Sequence, residues 1–124
     1  MIVQLEDRAV LRVAGADARD FLQGMLTQDV ARLAPDRPLY AGLLSPQGKA
    51  LFDVCLFDGG DGTVLVDVAA DRADALARRL TMYRLRKVVT IAPADAMVLA
   101  GWDGGEAGHT PDPRFAALGG RWIA

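Results

Sequence analysis

Two periods of hydrophobic and polar residues follow one another along the chain, and each predicts a different element. Val10 to Val13 alternates as a strand does and ends at Gly15, after which Ala18, Phe21, Leu22, Met25 and Leu26 recur at helical spacing. Polar Arg19, Asp20 and Gln23 take the other side, so the helix is amphipathic and covers a sheet or another helix, with Asp17 placed to cap it. Ala31 to Pro38 carries two prolines and reads as a loop.

The clearest pattern comes next. Tyr40 to Leu44 is a short apolar strand, Ser45-Pro46-Gln47-Gly48 has proline and glycine where a tight turn wants them, and Lys49 to Phe57 is a second strand. Asp58-Gly59-Gly60-Asp61-Gly62 turns the chain again and Thr63 to Ala69 returns, giving a three-stranded meander. Since side chains alternate across a strand, Ala50, Phe52, Val54 and Leu56 share a core face with Val64, Val66 and Val68. Lys49, Leu51, Asp53, Cys55 and Phe57 face the other way, with Thr63, Leu65, Asp67 and Ala69. A turn symmetric about Gly60 sets Asp53 opposite Asp67, and like charges across a ladder need compensation.

Asp71 is placed to cap a second amphipathic helix, whose Ala73, Leu76, Ala77 and Leu80 repeat at helical spacing to about Tyr83. Its far end is basic: Arg78, Arg79, Arg84, Arg86 and Lys87 put five positive charges within ten residues, either as a solvated helix end or as a seat for an acidic partner. Val88 to Ile91 and Met97 to Ala100 read as further strands, followed by a glycine-rich stretch from Gly101 to His109. Arg121 to Ala124 resembles a strand that has just begun, with no turn, cap or polar tail, and so predicts an open edge suited to self-association. The fold class expected is α+β, an antiparallel sheet with two amphipathic helices.

Bulk properties narrow the function more than the fold. A length of 124 residues allows one domain, 1–124, able to bury roughly two-thirds of its unfolded surface. No stretch approaches the ~18 apolar residues of a spanning helix, and acidic residues in MIVQLEDR replace the apolar run of a secretory signal, which predicts a cytoplasmic protein. The balance of 14 basic against 16 acidic residues argues against general nucleic-acid binding. Cys55, the single cysteine, excludes an internal disulfide and any multi-cysteine metal site from this chain, and reads as a small buried hydrophobe. His109, the single histidine, lies in a loop-like stretch and reads as exposed and without catalytic duty. No GxGxxG, P-loop lysine motif, GxSxG elbow or HExxH is present, so dinucleotide, phosphoryl-transfer, esterase and zinc-protease chemistry lack sequence support.

Several segments taken in order do carry a resemblance. VLRVAGADARDFLQGMLTQDV, YAGLLSPQGKALFDV, MYRLRKVVTIAP and PDPRFAALGGRW together resemble the N-terminal half of the YgfZ-type folate-binding proteins, relatives of the glycine cleavage T-protein. The resemblance runs from about Leu5 to Trp122, and the YRLRK segment and the DPR…LG…R ending favour the YgfZ branch. It implies an incomplete, aminomethyltransferase-like folate-binding subdomain, tetrahydrofolate or a derivative as cofactor, and a role in iron–sulfur cluster assembly or repair with iron–sulfur proteins or assembly factors as partners. The family's lysine-glycine-cysteine-tyrosine motif lies in the C-terminal half, absent here, and Cys55 is not its cysteine. The resemblance therefore implies a fragment, a truncation or one half of a two-chain assembly.

Residue by residue, the resemblance implies cofactor-binding roles for Tyr40, on the strand before the turn, for Ser45, which replaces a usual asparagine, and for Gln47 in the turn. Asp53 falls on the second of the T-protein's paired aspartates, while the first is Phe52 here, which counts against aminomethyl transfer. Asp67 joins the candidates as the expected neighbour of Asp53, and Arg84 as a seat for the glutamate tail of folate. No catalytic residue and no metal ligand is assigned. An accessory folate-binding protein, a one-carbon transferase and a non-enzymatic interaction module pairing through the open edge remain the alternatives.

Overall fold

In a computed structural model, residues 2–101, 110–114 and 118–124 are described. The meander forms β3 (Leu39–Leu44), β4 (Ala50–Gly60) and β5 (Thr63–Ala69), and β2 (Arg8–Ala14) and β6 (Thr90–Pro93) extend it. The order is β3-β4-β5-β2-β6, antiparallel throughout. A smaller sheet, β1-β7-β8, is made by β1 (Ile2–Gln4), β7 (Val98–Gly101) and β8 (Gly120–Ile123). Helices α1 (Ala18–Met25) and α2 (Ala73–Tyr83) complete the α+β fold.

The expected core face is the observed one except at Ala50, which is exposed at the start of β4, where the pairing with β3 shifts between Leu43 and Leu44. Phe52, Val54, Leu56, Val64, Val66 and Val68 are buried together with Phe21 and Leu22 of α1 and Leu76 and Leu80 of α2, so both helices cover this face. The opposite face is not left to solvent: Val10, Cys55, Phe57 and Asp67 are buried there, as are Val98, Ala100 and Arg121 of the small sheet. The small sheet is what the hydrophobic pattern least revealed, because β1 is only three residues long.

Several local expectations need correction. The turn after β4 is not five residues symmetric about Gly60. Gly60 pairs with Thr63, leaving Asp61 and Gly62 at φ 53° and 78° as a two-residue hairpin turn, and a bulge lies between Asp58 and Gly60. Cys55, not Asp53, therefore stands opposite Asp67. The slip is two residues, so each side chain keeps its face.

Neither expected helix cap forms. The Asp17 carboxylate instead accepts the Val88 N–H at 2.7 Å, and Asp17 N–H donates to the Val88 carbonyl at 3.1 Å. This tie brings Gly15, at φ 118°, so close to Val88 that a Cβ would lie 2.3 Å from its carbonyl oxygen. Asp71 sits inside a short 3₁₀ turn, Ala70–Arg72, and α2 starts after Arg72 without a side-chain cap. The expected strand from Val88 starts later, at Thr90, because Lys87 to Val89 is spent on backbone ties to Arg84 and Asp17. The loop predicted from Ala31 to Pro38 holds beyond Arg32, its first two residues belonging to a 3₁₀ turn at Val30–Arg32. Most of the glycine-rich stretch, with His109, lies outside the described residues.

Edges are covered unevenly. Leu26 bridges Leu43, and Thr27 exchanges bonds with Gly42, N–H to carbonyl at 2.9 Å and hydroxyl from Gly42 N–H at 2.9 Å, which closes the outer edge of β3. The edge expected at Arg121 to Ala124 is partly occupied: β8 pairs with β7 on one side, and Arg121 N–H donates to the Thr110 carbonyl at 2.9 Å on the other.

Candidate ligand face

Tyr40 and Asp53 lie on adjacent antiparallel strands and on the face opposite the helices, because Tyr40 pairs with Cys55 and Gly42 with Asp53. The Tyr40 hydroxyl donates to Asp53 Oδ2 at 3.1 Å. Both residues are exposed, Tyr40 at 40%, where the small sheet no longer covers β3 and β4. Partial desolvation, and then the bond and charge of Asp53, raise the Tyr40 phenol above its usual 10.0, so it remains a donor at neutral pH. An ionised carboxylate accepts several hydrogen bonds, so Asp53 retains acceptor capacity beyond the tyrosine.

Ser45 and Gln47 lie in the β3–β4 turn, separated from the Gly42–Asp53 pair by the Leu43–Phe52 and Leu44–Ala50 pairs. Ser45 shapes the turn: its hydroxyl accepts the Lys49 N–H at 3.1 Å, and its N–H donates to the Lys49 carbonyl at 2.8 Å. Gln47 is exposed at the tip.

Asp67 is brought to the same face but given other work. Its side chain is fully buried, with Oδ1 accepting Arg8 Nε at 2.7 Å and Oδ2 accepting Arg121 Nε at 2.7 Å. Arg121 Nη1 also lies 3.8 Å from buried Asp112, whose two oxygens are held by Nε and Nη2 of Arg114 at 3.0 and 2.8 Å. Charges thus alternate from Arg8 through Asp67, Arg121 and Asp112 to Arg114, joining the two sheets. Burial works to raise the Asp112 carboxyl, but the bonds and charge of Arg114, with Arg121 behind them, outweigh it and hold the group below its usual range.

The chain of charges reaches the open face. Tyr40, Cys55 and Asp67 stand in one row across β3, β4 and β5, and Asp67 carries Arg121, beside which Asp112 holds Arg114. The Arg114 side chain is 40% exposed, and Nη1 is not used by the two-point clasp on Asp112. Beneath it, burial and then the Asp67 charge push the Cys55 thiol up to about 12, so Cys55 is an inert core residue.

Arg84 is not brought to this face. It donates from Nη1 to the Val89 carbonyl at 3.0 Å beyond the end of α2, beside β6, at the opposite edge of the sheet from β3. Phe52, the neighbour of Asp53, points into the core beneath the Arg72 guanidinium, 4.5 Å from its ring centroid. Asp53 is therefore without a second carboxylate from the adjacent position. A separate cavity of about 210 Å³ opens at Phe57 and Asp58 between the Ala34–Pro38 loop and Trp122, about 13 Å along β4 from Asp53. Among the described residues no group of three or more potential metal ligands occurs, and no helix is long and apolar enough to cross a membrane.

No family model matches the chain. The tRNA-modifying protein YgfZ of Escherichia coli O157:H7 (strain EC4115 / EHEC) is 36% identical over 106 residues, 86% of this chain and 32% of that protein. Those of strains E24377A and K12 are 35% identical over the same shares. Over these residues the chain is similar to part of the YgfZ-type proteins. It spans about a third of the length of the curated YgfZ relatives it matches, 32%. Its fold is that of the glycine cleavage system aminomethyltransferase T from Bartonella henselae, with a TM-score of 0.71 and 21% identity over 80% of this chain and 27% of the other.

The YgfZ-type ending PDPRFAALGGRW now has a physical account. Asp112, Arg114 and Arg121 are three members of the buried charge chain, and Asp67 and Arg8 are the other two. Sequence reasoning missed Arg8, Asp112, Arg114 and Arg121. The available signal was an acidic residue inside the apolar run VLVDVA, which requires a partner once buried.

Proposed function

We propose that this chain supplies one wall of a folate site in a YgfZ-type accessory protein, one that supports tRNA modification by sustaining iron–sulfur cluster assembly or repair. The observation that carries the reading is the exposed Tyr40–Asp53 pair, hydrogen-bonded at 3.1 Å on a T-protein-like sheet. A reduced pterin presents ring N–H and amino donors and a flat face. Asp53 suits the donors as acceptor, and the Tyr40 ring suits the face. Arg114 Nη1, fixed from behind by Asp112, takes over from Arg84 as the cation for a carboxylate tail. Folate bound here supplies a one-carbon carrier, while these residues bind and orient it.

Aminomethyl transfer is the weaker reading because Phe52 belongs to the core, which leaves Asp53 as the carboxylate of this strand on the open face. The test is calorimetric titration of 5-formyltetrahydrofolate into a protein of the relatives' length, into its Asp53→Ala variant, and into the present chain. Removing a charged acceptor is expected to weaken binding about tenfold or more, and the present chain alone to bind more weakly still. Equal affinities for the first two would remove Asp53 from the site, and micromolar binding to the present chain would show that this wall suffices.

A further inference from the structure

The last turn of α2 and the connection to β6 take no part in the ligand face, yet together they carry the most exposed large apolar side chains among the described residues. Leu85 is 84% exposed, Met82 70% and Val88 62%, with Tyr83 beside them. Leu85 has φ 50°, in the left-handed region that a leucine avoids. The strained turn is braced from within. Lys87 N–H donates to the Arg84 carbonyl at 2.9 Å, Arg84 Nη1 to the Val89 carbonyl at 3.0 Å, and Val88 N–H to the Asp17 carboxylate at 2.7 Å. Lys87 Nζ reaches Asp20 at 2.6 Å. The fold therefore holds an aliphatic side chain outward in an unfavourable backbone state when a glycine or a polar residue would relax it.

Cations surround the knob. Arg78 and Arg86 are exposed, and Arg79 lies over the Tyr83 ring at 5.3 Å with its Nε buried and lacking a hydrogen-bond partner. We propose that Met82 to Val88 is a docking knob for a protein segment that presents apolar side chains flanked by carboxylates. Charge complementarity selects the acidic flank, and the apolar groups select the partner's class. Leu85, Met82 and Val88 are aliphatic, the one ring of the knob, Tyr83, already carries the Arg79 guanidinium at 5.3 Å, and the chain has a net charge of −2, so a nucleic acid is not the fit. The inference is independent of the folate reading, since the knob and the Tyr40–Asp53 pair lie at opposite edges of the sheet.

The test uses the whole chain and a fluorescein-labelled helical peptide with leucines at i, i+3, i+4 spacing and glutamates elsewhere, read by fluorescence anisotropy. A scrambled peptide, polyglutamate and bulk tRNA serve as comparison probes. Saturable binding of the amphipathic peptide is expected, weakened about tenfold or more by Leu85→Gly and by Arg86→Glu. Leu85→Gly separates docking from folding, because glycine adopts this φ freely, so thermal stability should hold or rise while binding falls. Absence of peptide binding, or unchanged binding by Leu85→Gly, overturns the proposal. So does polyglutamate or tRNA binding as tightly as the peptide. Self-association that Leu85→Gly abolishes would instead make a second copy the occupant and also overturn it.

Discussion

Asp53 and Asp67 are the same residue type on the same face of the same meander, and the fold uses them in opposite ways. Asp67 lies under the small sheet, where a lone carboxylate would be prohibitively unfavourable, and it is matched on both oxygens by Arg8 and Arg121. Asp53 lies beyond that sheet, and its described side-chain partner is the Tyr40 hydroxyl. The difference is one of cover. A carboxylate that the fold has already satisfied has little left for a ligand, whereas an exposed one at the margin of the cover keeps acceptor capacity.

The largest effect expected from this contrast is on stability. Asp67→Ala leaves buried Arg121 without its acceptor, and breaking one side of a buried pair costs about 3–5 kcal/mol. Asp53→Ala removes an exposed group and should stay within about 0.5 kcal/mol of the parent. Urea unfolding of both variants checks this. A loss below about 1 kcal/mol for Asp67→Ala would mean that the charge chain does not hold the two sheets together.

Acid should lower stability through the buried side. The folded-state pKa of Asp112 is depressed by Arg114 and Arg121, so its stabilisation is fully present above the unfolded value of 3.8 and is lost as pH falls through the lower folded value. The urea midpoint should therefore drop as pH is lowered below about 4, and Asp112→Asn should flatten that drop while lowering the plateau. An unchanged slope in Asp112→Asn would assign the acid sensitivity to other carboxylates.

Half of the contrast between the two aspartates is legible in the amino-acid sequence. Alternation in Lys49 to Phe57 and Thr63 to Ala69 places both on the face away from the helices, and that is where they lie. Register is not legible, because Asp58-Gly59-Gly60-Asp61-Gly62 contains more than one dipeptide able to make a tight hairpin turn, and pairing along the strands selects Asp61-Gly62. The need for compensation at Asp67 can be stated, but Arg121 lies 54 positions away and no local rule joins them. Asp17 and Asp71 satisfy the rule for a cap and are diverted, the first to Val88 and the second into a 3₁₀ turn. The basic run is visible as charge, while the exposure of Leu85 depends on a left-handed residue that composition does not announce.

The smallest effect sharpens the open side of the contrast. If Asp53 and Tyr40 form a working pair and not a crowded surface, replacing the carboxylate by an isosteric amide should be felt at the phenol and hardly elsewhere. In Asp53→Asn the raised pKa of Tyr40 should fall part of the way back toward 10.0, because the Asp53 bond and charge are lost while the first cause, desolvation, stays. Phenolate absorbance in a Tyr83→Phe background isolates this titration, since the chain has two tyrosines. The sign decides between two origins of the shift. A downward move shows that Asp53 senses and stabilises a protonated donor beside it, as a site for ligand N–H groups requires. No move would leave burial alone as the cause and reduce Asp53 to a solvated carboxylate at the end of a covered row.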